Sequence, residues 1–77
     1  MKREALISYR GKRSQEEMGE IYHVSQQVWS RWENGTAKPR VEVMKQLEED
    51  IGIPMEEIFF DVFNTFEVSN RNKSKTA

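Results

Sequence analysis

Residues Ser14 to Pro39 read SQEEMGEIYHVSQQVWSRWENGTAKP, and the fold of the chain turns on this stretch. Ser14 and Ser25 both suit the N-cap of a helix, because each hydroxyl can accept a bond from an otherwise unpaired backbone N–H. Glu17 follows Ser14 by three residues, the spacing of a capping box. The two caps lie so close that the first helix has room for only about two turns before the chain must turn. Gly35, of the type favoured just past a helix, ends the second helix. The expected helices therefore run from Gln15 to Tyr22 and from Gln26 to Asn34, meeting at a tight corner. That is helix-turn-helix geometry.

The second of these helices divides cleanly by angle. At roughly 100° per residue, with Gln26 at zero, Ser30 falls near 40°, Asn34 near 80°, Gln27 near 100° and Arg31 near 140°. Val28, Trp29 and Trp32 fall opposite, between about 200° and 300°. A merely solvated face would more often alternate Glu and Lys. Gln, Arg and Ser instead match the donors and acceptors on base edges in a DNA major groove.

These pieces resemble the Cro/repressor-type helix-turn-helix family of transcriptional regulators, also called the XRE family. The matching residues are Ser14-Gln15-Glu16-Glu17-Met18, Val24-Ser25-Gln26-Gln27, Trp32-Glu33-Asn34-Gly35 and Pro39. Ile51-Gly52-Ile53-Pro54-Met55-Glu56-Glu57-Ile58-Phe59 is similar to the family's closing helix. The resemblance spans about Leu6 to Phe59. It implies a cytoplasmic, sequence-specific DNA-binding regulator, a repressor rather than an activator, acting as a homodimer on duplex DNA. Gln26, Gln27, Ser30 and Arg31 would then face bases, and Gln15, Ser25, Asn34, Lys38 and Arg40 would contact phosphate. The family pairs the acid at Glu33 with an Arg of the first helix, which makes Arg10 its expected structural partner. The alternative is a DNA-binding antitoxin or element-encoded regulator that acts mainly through a protein partner.

Four positions depart from the family pattern. Gly19 stands where Ala is common, so Gly19→Ala is expected to fit and to add about 0.8–1 kcal/mol of helix propensity. His23 replaces the usual Gly of the corner, where a positive φ is required; His is among the types enriched there. Trp29 and Trp32 replace smaller aliphatic residues, so the core must be built around them. Arg13 stands where a buried Leu is usual.

The 77 residues make one domain of a size that folds alone with modest stability. With no cysteine, disulfides and zinc–thiolate sites are excluded. No apolar run is long enough to span a membrane, and no signal-peptide pattern opens the chain. The net charge of −1 conceals an asymmetry: +3 over residues 1–40, −7 over 41–67 and +3 over 68–77. A basic working face and an acidic rear would orient the molecule toward phosphate. Catalysis has little to draw on. His23 is the only histidine, the serines have no His partner, and the paired glutamates are sequence neighbours on helices. No enzyme activity, metal or cofactor is expected.

The fold expected is all-α: a compact five-helix domain over residues 1–59. A first helix runs from about Lys2 to Arg10 with Leu6 inside, and a fourth from Val41 to Asp50 turns Met44, Leu47 and Ile51 inward. Pro54 opens a short fifth helix at its first position. Residues 60–68 are expected to be extended, a strand or hairpin that packs on the helices or forms a dimer contact. Residues 69–77 are polar and expected to be disordered.

Overall fold

The computed structural model describes residues 2–63. Five helices follow in order: α1 (Glu4–Arg10), α2 (Gln15–Ile21), α3 (Gln26–Asn34), α4 (Val41–Ile51) and α5 (Met55–Ile58). The all-α fold is the one expected, with small shifts at the ends. Helix α1 begins at Glu4 because Arg3 is extended and directs its N–H to Glu33 O at 2.7 Å. Pro54 is the N-cap of α5 rather than its first residue, and Glu48 Oε1 accepts from Met55 N at 2.9 Å, satisfying one of the unpaired donors there.

One expectation is corrected. Residues 60–63 are helical, with Val62 N and Phe63 N both donating to Phe59 O, so the start of the supposedly extended 60–68 segment continues the helical path. Phe59 and Ile58 are buried on one side of this path while Phe60 is exposed, a 3.6-residue pattern that period-two alternation mimics over a few positions. Residues 64–68 and 69–77 lie outside the described residues.

Capping sets the motif. Ser14 Oγ accepts from Glu17 N while Glu17 Oε1 accepts from Ser14 N, both at 3.0 Å, a complete capping box. Ser25 Oγ accepts from Val28 N at 3.2 Å at the start of α3. Between them the chain turns at His23, whose φ of 61° is the one positive value among non-glycine residues described. A side chain in that region is strained by roughly 1–2 kcal/mol, less for His than for most. His23→Gly is therefore expected to raise stability by about 1 kcal/mol, read as an increase of several degrees in thermal midpoint.

Helices α2 and α3 meet at Gly19. A Cβ placed there would lie 2.5 Å from Val24 O and 3.1 Å from the Ser25 carbonyl, all backbone atoms. The expected benefit of Gly19→Ala is thus reversed: Trp29 does not claim the space, the corner itself does.

The core is aromatic. Leu6, Met18, Trp29, Leu47, Ile58 and Phe59 are fully buried, with Tyr22, Trp32 and Met44 nearly so. Trp29 stacks on Tyr22 at 5.6 Å and meets Trp32 edge-on at 5.7 Å. The Tyr22 hydroxyl donates to Asp50 Oδ2 at 2.7 Å, which leaves the Tyr9 hydroxyl to donate to Tyr22 at 2.8 Å. Burial first, and then these hydrogen bonds, push the Tyr22 phenol above its ordinary value. Arg13, in the place of the family's Leu, is half-buried. It stacks on Tyr9 at 5.0 Å and donates to the Tyr9 and Arg10 carbonyls that end α1.

Candidate nucleic-acid interface

Helix α3 presents two chemically distinct faces. Trp29, Trp32 and Glu33 are buried, while Gln26, Gln27 and Arg31 are exposed and Ser30 and Asn34 half-exposed. The wheel drawn from the sequence put Trp29 and Trp32 inside and Gln26, Gln27, Ser30, Arg31 and Asn34 on the polar side; Val28, also expected inside, is half-buried against the core, and Glu33, at about 340° on the border of the apolar arc, is buried. Asn34 Nδ2 donates weakly to Ser30 Oγ at 3.4 Å, one turn back, linking the two polar residues between the exposed and buried arcs.

Further polar groups lie in the segments that flank α3 in the sequence. Ser25 is exposed, and its hydroxyl accepts the cap bond while its own proton stays available to donate. Gly35 ends the helix in the left-handed region at φ 77°, its N–H returning to Arg31 O and Trp32 O. Beyond it, Lys38 and Arg40 are exposed on either side of the buried Pro39. Ser25, Lys38 and Arg40 are thus all exposed, in the segments on either side of α3. Gln15 differs: it is half-buried, and its Nε2 donates to Glu33 Oε1 at 3.0 Å.

Glu33 holds these pieces together from beneath. Arg10 Nε donates to Glu33 Oε2 at 2.6 Å and Nη2 to Oε1 at 3.3 Å. The Trp29 indole N–H donates to Oε2 at 2.5 Å. One carboxylate thus joins α1, α2 and α3, with only 4% of its side chain exposed. Burial alone would raise its pKa. The bonds from Arg10, Trp29 and Gln15 outweigh burial and hold it below the ordinary carboxylate value, while the hydrogen bond that Arg10 donates to Glu33 raises that of Arg10.

Arg3 is the residue that sequence reasoning missed. It is 3% exposed and carries its charge into the domain between the end of α3 and the helical residues 60–63. Its Nε and Nη2 form a bidentate pair with Asp61 at 3.0 and 2.9 Å. Its Nη1 donates to Trp32 O at 2.8 Å and Ala37 O at 2.7 Å. Bonding to Arg3 holds Asp61 below its usual carboxylate value despite partial burial. A lone arginine before α1, paired across 58 positions, leaves no local pattern to read.

Among the described residues there is no group of His, Cys, Asp and Glu able to hold a metal ion, and no helix long and apolar enough to cross a membrane.

An exposed Gln/Arg face on the second helix of a capped pair, with exposed cations in the segment that follows, is the arrangement of a helix-turn-helix DNA-binding domain. Residues 3–58 match the model of a family described as Helix-turn-helix. The chain belongs to this Cro/repressor-type (XRE) family and is a DNA-binding transcriptional regulator. Comparisons with curated proteins and with solved structures give no significant match.

Proposed function

We propose that the protein binds specific duplex sites as a dimer and represses transcription by occupying them, with α3 in the major groove. The observation that carries this reading is the division of α3. Every side chain on its exposed face can hydrogen-bond a base edge or phosphate, and none is a carboxylate that phosphate would repel. Gln26, Gln27, Ser30 and Arg31 read bases; Ser25, Asn34, Lys38 and Arg40 hold the backbone, and Gln15 reaches phosphate with the N–H that Glu33 leaves unused. One short helix spans too few base pairs for a unique site, which favours two copies on a palindrome with half-sites about one helical turn apart.

Selection of bound sites from a random duplex pool tests this. Recovery of a two-fold symmetric motif supports the reading. Sites without symmetry, together with a monomer mass at micromolar concentration, would refute the dimer.

Arg31→Ala and Lys38→Ala separate base contacts from phosphate contacts. Arg31 can pair bidentately with guanine O6 and N7, worth about 1–3 kcal/mol of discrimination. Its loss is expected to relax preference at one symmetric pair of positions. Loss of Lys38 is expected to weaken all sequences alike and to reduce the salt slope by about one unit per subunit. Competition binding with single-base variants across a salt series distinguishes them. Wild-type preference at every position in Arg31→Ala would remove Arg31 from the base readers.

A further inference from the structure

The loop between α3 and α4 carries Lys38 and leads into Arg40, and few hydrogen bonds fix it. Among the described residues, 37–39 make no backbone–backbone hydrogen bond; Ala37 and Pro39 pack inward, and the hydrogen bond that ties this stretch to the rest of the domain is Arg3 Nη1 on Ala37 O. The same Nη1 bonds Trp32 O, which otherwise takes only the long bond from Gly35 N at 3.4 Å, and the Arg3 N–H bonds Glu33 O, so Arg3 also serves two carbonyls at the end of α3. A cation at that end matches the negative pole of the helix. The guanidinium lies 5.0 Å from the Phe59 ring, and Asp61 takes its remaining edge. Arg3, Thr36, Ala37, Lys38, Asp61 and Val62 border one shallow cleft, which places residues 61–62 directly beside the loop that carries Lys38.

We infer that Arg3 is a positioning residue for DNA binding: its planar fork, set by Asp61, holds the Ala37–Lys38 backbone in fixed register with the end of α3. This inference rests on the DNA-reading function proposed above. Arg suits the role and Lys does not, because four acceptors in three directions are met by a rigid, multiply donating plane and not by a point charge. Bases and phosphate must be met at the same moment, so a loop free to drift would weaken phosphate contact while leaving the reading face of α3 intact.

Asp61→Asn tests this with the least disturbance, since it keeps the side-chain shape and turns an acceptor into a donor opposed to the guanidinium. Three readouts apply, all well below the thermal midpoint. Backbone 15N order parameters by NMR are expected to fall at Ala37 and Lys38 and to stay unchanged in α2. Duplex affinity at about 0.1 M salt is expected to fall about tenfold for all sequences alike, with the salt slope reduced by about one unit per subunit. In a Lys38→Ala background, Asp61→Asn is expected to cause little additional loss. Arg3→Lys, if folded, is expected to reproduce Asp61→Asn.

A lowered midpoint with wild-type loop order parameters and a wild-type salt slope would overturn the inference, leaving Arg3 a purely structural group. So would full additivity with Lys38→Ala. If the wild-type protein binds no duplex, the proposed function fails and this role with it. That outcome is recognisable because the loop amides still report whether Asp61 orders them.

Discussion

Glu33→Ala is expected to destabilise the domain by about 3 kcal/mol, because it strands a cation and an indole N–H that were paired with a nearly buried carboxylate. For a domain of this size that corresponds to a loss of roughly 12–24 °C in thermal midpoint. Arg10 retains a bond to Arg13 O and is partly exposed, which keeps the loss at the lower end of the range for a broken buried pair. Acid acts on the same group. Glu33 and Asp61 both titrate below their ordinary values near 4.5 and 3.8 in the folded protein. Their contribution is therefore complete above those values and disappears as the pH falls through the folded ones. Unfolding followed by circular dichroism from pH 7 to pH 2 should show stability declining below about pH 4.5. Glu33→Gln should begin less stable and decline less steeply, keeping only the Asp61 part. A wild-type acid slope in Glu33→Gln would show that Glu33 is not the group responsible.

Gly19→Ala should lower the thermal midpoint by about 10 °C. The new methyl meets the Val24 and Ser25 backbone, and backbone at a corner pinned by a positive φ at His23 has little room to give. Overpacking of this kind costs about 3 kcal/mol, from which the helix propensity of Ala recovers about 1. At roughly 4–8 °C per kcal/mol, the net 2 kcal/mol gives that shift. A midpoint equal to or above wild type would mean that α2 and α3 separate at small cost.

The two predictions mark where the sequence is legible and where it is not. Helix ends with local signals could be read directly: Ser14 with Glu17, Ser25, and Gly35 each act through bonds spanning a few residues. The division of α3 could be read because its periodicity is local too. Glu33 was half legible, since its angle lies near the border of the apolar arc and the family pairing points to Arg10. Its bonds to Gln15 and Trp29 appear only once α2 and α3 are docked. Arg3 and the Tyr9–Tyr22–Asp50 chain join residues distant in sequence, with no period to connect them. The approach at Gly19 was misread because helix propensity counts a methyl within its own helix and ignores the neighbouring corner. At 60–63, four residues were too few to separate an alternating pattern from a helical one.

The burial of both tryptophans has an optical consequence. Trp29 and Trp32 are the only indoles in the chain; both lie inside the motif, and neither is on its exposed face. Intrinsic emission should therefore be that of rings shielded from water, and it should respond to loosening of α2 against α3 far more than to contact with a nucleic acid. The chain carries, without any added label, a light signal confined to the part of the fold that holds helix α3 in place.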